Sequence, residues 1–349
     1  MVTIRDIAKE AGVSVSTVSF AFNDSGPVAP ETKEKIFEVI RRLNYQPNSA
    51  ARGLAMQKTN TVCLYTPHPG SAFFNFSGNS TFSDLLQGVG EIIDQKSYNL
   101  LLSWDNARED LPRALRLARQ QSVDGFLFML PSHETDMLEE LTALAVPFVV
   151  MGRKEDISAV NTVDVDNFDA AYRNTKHLID LGHSRIGFVS PGPEEYLVCS
   201  DRLEGYQSAL TDNDCVQDPA LVFIGNDRQE SGYEAATAFC SLTTPPTAIV
   251  AGRDVQAIGV LQYAREHGLR VPQDVAIVSF EDSALAKEYG LTSIRTNLYD
   301  IGRESARLLF QIVSRKKQRA PQNVILPSEL VIRTSCGATD STDATARSR

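Results

Sequence analysis

The sequence predicts two architectures in one chain. An N-terminal all-α head with a helix-turn-helix precedes an α/β core of two parallel-sheet subdomains. Three observations carry this. The chain has 349 residues, more than one ordinary core holds, and two or three domains are expected. Residues 1–46 hold three short helical patterns and no strand-like run. From residue 61 onward, apolar runs of four to six residues alternate with amphipathic stretches of helical period.

In the head, Thr3 followed by Asp6 has the form of a helix N-cap with an acidic third residue, and a helix is expected over 4–10. Ala11-Gly12-Val13 makes a tight turn. Ala8 and Gly12, four apart, supply the small residue and corner glycine that a helix-turn-helix needs. Ser14 caps a second helix over 15–23. Gly26-Pro27 breaks the chain, and Pro30 suits the first turn of a third helix. That helix carries one apolar stripe, Ile36, Val39, Ile40 and Leu43. On the second helix the stripe is Val18, Ala21 and Phe22. Ser16 and Phe20 lie across from it, because two residues turn a helix by about 200°. Phe20 is therefore expected outside the core, the alternative being sideways packing on a neighbour. Ser14, Ser16, Thr17 and Ser19 surround it. Small hydroxyls suit a phosphate backbone; capping and solubility are their plainer uses.

Beyond the third helix, Pro47 stops the chain from continuing helically. Asn48 can cap a short helix over 49–55 with Leu54 exposed near its end. So short a helix needs a partner to form, and an ordinary linker over 47–60 is the alternative. In the core, strands are expected at 61–65, 99–103, 125–130, 147–151, 186–190, 221–224, 247–251 and 275–280. Helices are expected at 83–97, 110–122, 168–181, 202–213, 229–241 and 254–267. Such alternation implies parallel sheets with helices on both faces, in two units of about four strands each. A ligand would bind where the carboxyl ends of the two sets of strands face one another.

Charge and composition narrow the function. The net charge is −10, yet residues 1–60 carry eight Lys/Arg against six Asp/Glu and the remainder is −12. A mildly basic head on an acidic body fits a small DNA-binding head. The five cysteines are scattered without a C-x-x-C pair, and no zinc spacing appears among the five histidines. No metal or cofactor is expected. MVTIRDIAKE has no apolar signal region and no run is long enough for a membrane span, so a cytoplasmic protein is expected. An enzyme has little support: Gly88-Val89-Gly90 is a bare G-x-G, and neither G-x-x-x-x-G-K-[ST] nor G-x-S-x-G occurs. No catalytic residue is assigned. A transport-type sugar-binding protein would match the core but not the head.

Residues 2–55 contain V-x-I-x-D-I-A-x-x-A-G-V-S-x-x-T-V-S-x-x-x-N and L-N-Y-x-P-N-x-x-A-R-x-L. They closely resemble the head and hinge of the lactose/galactose repressor (LacI/GalR) family. Less dense matches follow at 163–167, 181–186, 202–206, 254–259 and 278–282. The resemblance implies a periplasmic-binding-protein-like core of two Rossmann-like subdomains: about 61–160 plus 292–320, and about 161–291 plus 321–336. The crossings would lie near 158–163, 288–294 and 318–324, and the polar tail 337–349 is expected to be disordered. It also implies a homodimeric transcriptional repressor of a palindromic double-stranded DNA operator, controlled by a small-molecule effector. A carbohydrate is favoured, with a nucleoside or purine co-repressor as the alternative.

By the same resemblance Val15, Ser16 and Phe20 read bases, while Thr17, Ser19 and Asn23 bind phosphates. Leu54, with Ala51 beside it, wedges into the minor groove. Thr3, Ser14 and Asn48 complete the expected DNA contacts. Phe20 stands where arginine is common. Arginine pairs with guanine, whereas a phenyl ring makes only apolar contact, for example with a thymine methyl. Arg202 matches the family's effector arginine, Glu281 replaces its usual aspartate, and Arg253 replaces a frequent asparagine. The expected effector set is Phe73, Phe82, Arg153, Tyr196, Val198, Arg202, Asp227, Arg253 and Glu281. Phe73 and Phe82 lie in an aromatic-rich loop, 67–82, which could equally fold on its own side chains.

Overall fold

The computed structural model describes residues 2–23, 26–44, 58–66, 80–104, 111–129, 135–152, 160–193, 197–314 and 320–338. Asn48, Ala51 and Leu54, expected in the hinge, and residues 67–79 and 339–349 lie outside them. The chain divides into two compact units, 1–60 and 61–349.

The first unit is the helical head: α1 (Ile4–Ala11), α2 (Val15–Asn23) and α3 (Pro30–Arg42). The Asp6 carboxylate accepts from the Thr3 backbone N–H at 2.8 Å and from its hydroxyl at 2.7 Å, anchoring the start of α1. Gly12 ends that helix in the left-handed region, φ 68°, where a Cβ would be strained. The Ser14 hydroxyl accepts the Thr17 N–H at 3.0 Å and caps α2. Ile7, Ala8, Ala11, Val18, Ala21, Ile36 and Val39 form the buried core of the three helices.

The second unit runs in chain order β1 (Thr61–Tyr65), α4 (Ser80–Gln95), β2 (Asn99–Ser103), α5 (Arg113–Arg119), β3 (Gly125–Met129), α6 (Thr135–Ala143), β4 (Phe148–Met151), β5 (Thr162–Val165), α7 (Asn167–Asp180), β6 (Ile186–Ser190), α8 (Leu197–Asp212), β7 (Val222–Ile224), α9 (Gln229–Cys240), β8 (Ala248–Ala251), α10 (Asp254–Glu266), β9 (Ala276–Glu281), α11 (Ala284–Glu288), β10 (Thr292–Arg295), α12 (Leu298–Val313), β11 (Asn323–Leu326) and β12 (Glu329–Val331). They build two six-stranded sheets, ordered β11-β5-β4-β3-β1-β2 and β12-β10-β9-β8-β6-β7. Every pairing is parallel except β10 with β12.

Each sheet therefore has six strands instead of about four, and the crossings come later than expected. β5 stays in the first sheet, paired with β4 and β11, whereas β10 and β12 belong to the second. The chain changes sheets at Asp166, at 296–297 and at 327–328, between strands of opposite sheets. The reason is composition. TVDV, TSIR, NVIL and ELV are three or four residues long, and each contains at least one polar or charged residue, which leaves at most three apolar residues in a row. None reads as an apolar run, and tertiary pairing makes them strands.

Both sheets are apolar on both faces, as helix-covered parallel sheets must be. Val62, Leu64, Leu127, Val149 and Val163 pack with residues of α4 and α12, while Cys63, Tyr65, Phe126, Phe128 and Val150 pack with α5 and α6. The second sheet repeats the scheme with α7 and α8 on one side and α9 and α10 on the other. The G-x-G of α4 serves this packing. A Cβ at Gly88 would lie 2.0 Å from the Tyr299 carbonyl oxygen of α12, whereas one at Gly90 meets nothing within 4 Å. Gly88→Ala should therefore destabilise the core by about 1–3 kcal/mol through overpacking. Gly90→Ala should stabilise it by roughly 0.5–1 kcal/mol through helix propensity. Urea denaturation of the two variants checks the opposite signs.

Candidate functional site

Two regions gather the residues singled out from the sequence, one in each unit. On the head, α2 turns Val18 and Ala21 inward and leaves Val15, Ser16 and Phe20 exposed. Phe20 is 43 % exposed and off the buried stripe, where its helical angle puts it. Thr3 and Ser14 are committed to local bonds. The Thr3 hydroxyl donates to Asp6. Ser14 caps α2, and its hydroxyl shares a 2.8 Å hydrogen bond with that of Thr17. The side chain of Asn23 lies outside the described residues.

In the core, the carboxyl ends of β6 to β9 bring four charged side chains together. Arg202 lies in the second turn of α8, 7 % exposed. The sequence placed it at the start of a helix over 202–213, but α8 begins at Leu197 and turns it inward. Its Nε donates to Asn167 Oδ1 at 3.1 Å, another guanidinium nitrogen donates to the Gly252 carbonyl at 2.7 Å, and the cation stands 4.3 Å over the Phe280 ring. Asn167 donates in turn to the Asp164 carboxylate of β5 at 3.3 Å. A polar chain thus runs from the first sheet into the second subdomain.

Arg253 follows β8 and ties two carboxylates. It donates to Glu281 Oε1 through Nε at 2.7 Å and through a terminal nitrogen at 2.6 Å, and pairs with Asp227 at 2.9 Å. Burial opposes its charge, but Glu281 and Asp227 together outweigh burial and hold the guanidinium firmly protonated. Burial pushes the Glu281 carboxyl up against the pull of Arg253. Burial also pulls the Arg202 guanidinium below its ordinary value, with Glu281 opposing.

Glu281 and Asp282 have φ values of 108° and 56°, sparsely populated for residues with a side chain. Their surroundings hold them there. The Ser283 N–H donates to Asp254 Oδ2 at 2.7 Å, and the Asp282 N–H donates to the Ser293 hydroxyl at 3.0 Å. Asp254 Oδ1 also accepts from the hydroxyls of Ser279 at 2.6 Å and Ser293 at 2.8 Å. Arg295 and Arg333 clamp the Asp282 carboxylate. Beside this turn lies a cavity of about 150 Å³, lined by Glu281, Asp282, Ser283 and Lys287 of the second subdomain and by Asp84 and Tyr299 of α4 and α12.

Of the expected effector residues, Arg202, Arg253, Asp227 and Glu281 are brought together. Val198 is exposed on the first turn of α8. Phe82 is a correction: it is 2 % exposed, packed with Leu85 and Val62 in the core of the first sheet, because α4 begins at Ser80 and turns it inward. Phe73, Arg153 and Tyr196 lie outside the described residues. Sequence reasoning gave no part to Asp164, Asn167, Asp282 or Arg295. The first three stood in segments whose resemblance was noted, 163–167 and 278–282, without a role attached. Among the described residues no cluster of His, Cys, Asp and Glu could hold a metal, and no helix is long and apolar enough to cross a membrane.

A helix-turn-helix head joined to a two-sheet core with polar groups at the facing strand ends defines a class of ligand-controlled DNA-binding regulators. Residues 3–48 match the family "Bacterial regulatory proteins, lacI family", and residues 175–336 match the "Periplasmic binding protein-like domain". The chain is 34 % identical to catabolite control protein A of Priestia megaterium over 96 % of its own length and 99 % of that relative. Among solved structures it resembles the lac repressor dimer bound to operator and the anti-inducer ONPF, with TM-score 0.83, 25 % identity and 97 % and 99 % of the two chains covered. It also resembles the complex of the transcriptional regulator CelR with cellobiose, with TM-score 0.71, 29 % identity and 96 % and 100 % covered. This chain belongs to the lacI family of bacterial regulatory proteins.

The buried Asp254 carboxylate accepts from three donors, and truncation strands all of them. Asp254→Ala should cost the core about 2–4 kcal/mol. Urea unfolding of the variant measures that loss, and an unchanged midpoint would count against the network.

Proposed function

We propose that this protein represses transcription by binding a palindromic operator as a homodimer, under control of a small, neutral, polyhydroxylated effector, most simply a carbohydrate. The observation that carries the DNA half is the face of α2: Val15, Ser16 and Phe20 stand outward while Val18 and Ala21 anchor the helix. That is the arrangement of a recognition helix entering a major groove. Thr17, Ser19 and Asn23 flank it as phosphate contacts, and Thr3 and Ser14 support it as caps. Minor-groove contact is the part proposed for Asn48, Ala51 and Leu54. The lac repressor relative, a dimer on its operator, supports this reading.

Charge balance supports the effector half. Arg202 and Arg253 stand against Glu281 and Asp227, and Arg253 already bridges both carboxylates. Among these four side chains the charges balance, and hydroxyls can share donors and acceptors that are already fixed in place. Arg153, Tyr196, Val198 and Phe73 are the candidates for closing the site. The relative solved with cellobiose supports a sugar. Ligand binding between the subdomains then biases their opening and closing, with a coupling to DNA affinity of roughly 1–3 kcal/mol.

Mobility-shift assays with genomic fragments, with and without sugars, nucleosides and sugar phosphates that raise the melting temperature, test both halves. A specific shift that a neutral sugar modulates is expected; absence of any sequence-specific shift would sink the proposal. Arg202→Ala and Glu281→Gln should keep operator affinity within about twofold but weaken effector binding about tenfold or more, the size of one charge-assisted hydrogen bond. Calorimetry on the intact variants reads that loss. Leu54→Ala should weaken specific binding far more than nonspecific binding, because only a kinked site uses the wedge.

A further inference from the structure

The outward face of α2 carries no charged side chain, and the only amide of the helix is Asn23 at its last position. Its hydroxyls are partly spoken for, since Ser14 and Thr17 bond each other and the helix start. What remains for base edges is mostly carbon: Val15, 42 % exposed, and Phe20, 43 % exposed, with Ser16 between them. The phenyl ring of Phe20 is also braced. A methyl group at Gly26 would lie 2.8 Å from its Cγ and 3.0 and 3.2 Å from its two Cδ atoms. The root of the ring therefore rests against bare backbone past the helix end, while the side chain as a whole stays 43 % exposed. Gly26 has no left-handed φ; the close approach of the ring is the reason for a missing side chain there.

The major groove offers only one apolar group, the methyl on C5 of thymine. We propose that Phe20, positioned by Gly26, reads a pyrimidine C5-methyl group in each operator half-site. This rests on the DNA-binding reading above and adds the chemical group recognised. The side chains leave hydrogen-bond readout to Ser16, so sequence preference at the Phe20 position comes from the methyl itself. A ring that recognises the methyl rather than the base carries a consequence: 5-methylcytosine presents the same group on the same carbon. Binding should then respond to cytosine methylation at that one position.

The test begins with operators selected by the full-length protein from random duplexes. Each thymine is then replaced by deoxyuridine, which keeps base pairing and removes only the methyl, so protein folding is not in question. At one thymine per half-site the loss should be about fourfold, the burial of one methyl, and about fifteenfold when both half-sites are changed. Phe20→Ala should erase the thymine–deoxyuridine difference at that position. Gly26→Ala should shrink it while the head stays folded by circular dichroism, which a merely structural glycine would not do. A 5-methylcytosine·guanine pair there should bind more tightly than cytosine·guanine. Equal binding of thymine and deoxyuridine operators at every position, or of cytosine and 5-methylcytosine, overturns the proposal and leaves DNA binding intact. Failure to select any operator overturns both.

Discussion

The second subdomain is organised around one buried carboxylate. Asp254 opens α10, where the helix N-terminus favours negative charge. From there it gathers hydroxyls of β9 and β10 and a backbone N–H of the turn between them. A carboxylate in such a place must be fully satisfied, because a lone buried charge is expensive. The geometry that satisfies it also holds Glu281 and Asp282 in their left-handed conformation. Glu281 in turn accepts from Arg253, which also donates to Asp227. The polar face of the cleft is thus the outward end of an interior network. Its side chains are preorganised before any ligand arrives.

The crossings between sheets lie close to that network. Asp282, clamped by Arg295 and Arg333, sits between β9 and β10, and Arg295 also pairs with Glu329 of β12. Asn167 starts α7 one residue after the first crossing and links Asp164 of the first sheet to Arg202. These bonds tie the elements on either side of each crossing to one another. The head follows a different economy. Its three helices bury seven apolar residues, and caps at Thr3 and Ser14 use up local hydroxyls. The outward face of α2 exposes the apolar side chains Val15 and Phe20.

Much of this was legible in the residues. The head could be drawn from Thr3, Gly12, Ser14 and Pro30, because caps, corners and first turns are decided within a few residues. The exposure of Phe20 followed from helical angle alone. Eight of the strands were readable because each is a nearly continuous apolar run, as strands in helix-covered parallel sheets are. Arg202, Arg253 and Glu281 were singled out through resemblance, and the structure brings them together with Asp227. The short strands β5, β10, β11 and β12 were not readable, and the crossings shifted with them. Phe82 was misplaced because an aromatic beside a Gly/Ser/Asn-rich loop carries no mark of which way the next helix will turn it.

The sequence by itself determined the order of elements, the helix boundaries of the head and the apolar faces of the sheets, since those are set by local conformational preference and hydrophobic period. Only the tertiary structure decided which short polar segments pair as strands, where the chain crosses between sheets and which charges neutralise one another. Those outcomes depend on partners as distant as Arg253 and Glu281, or Asp282 and Arg333. A buried charge or an edge strand is stable only once its partner from elsewhere in the chain has arrived.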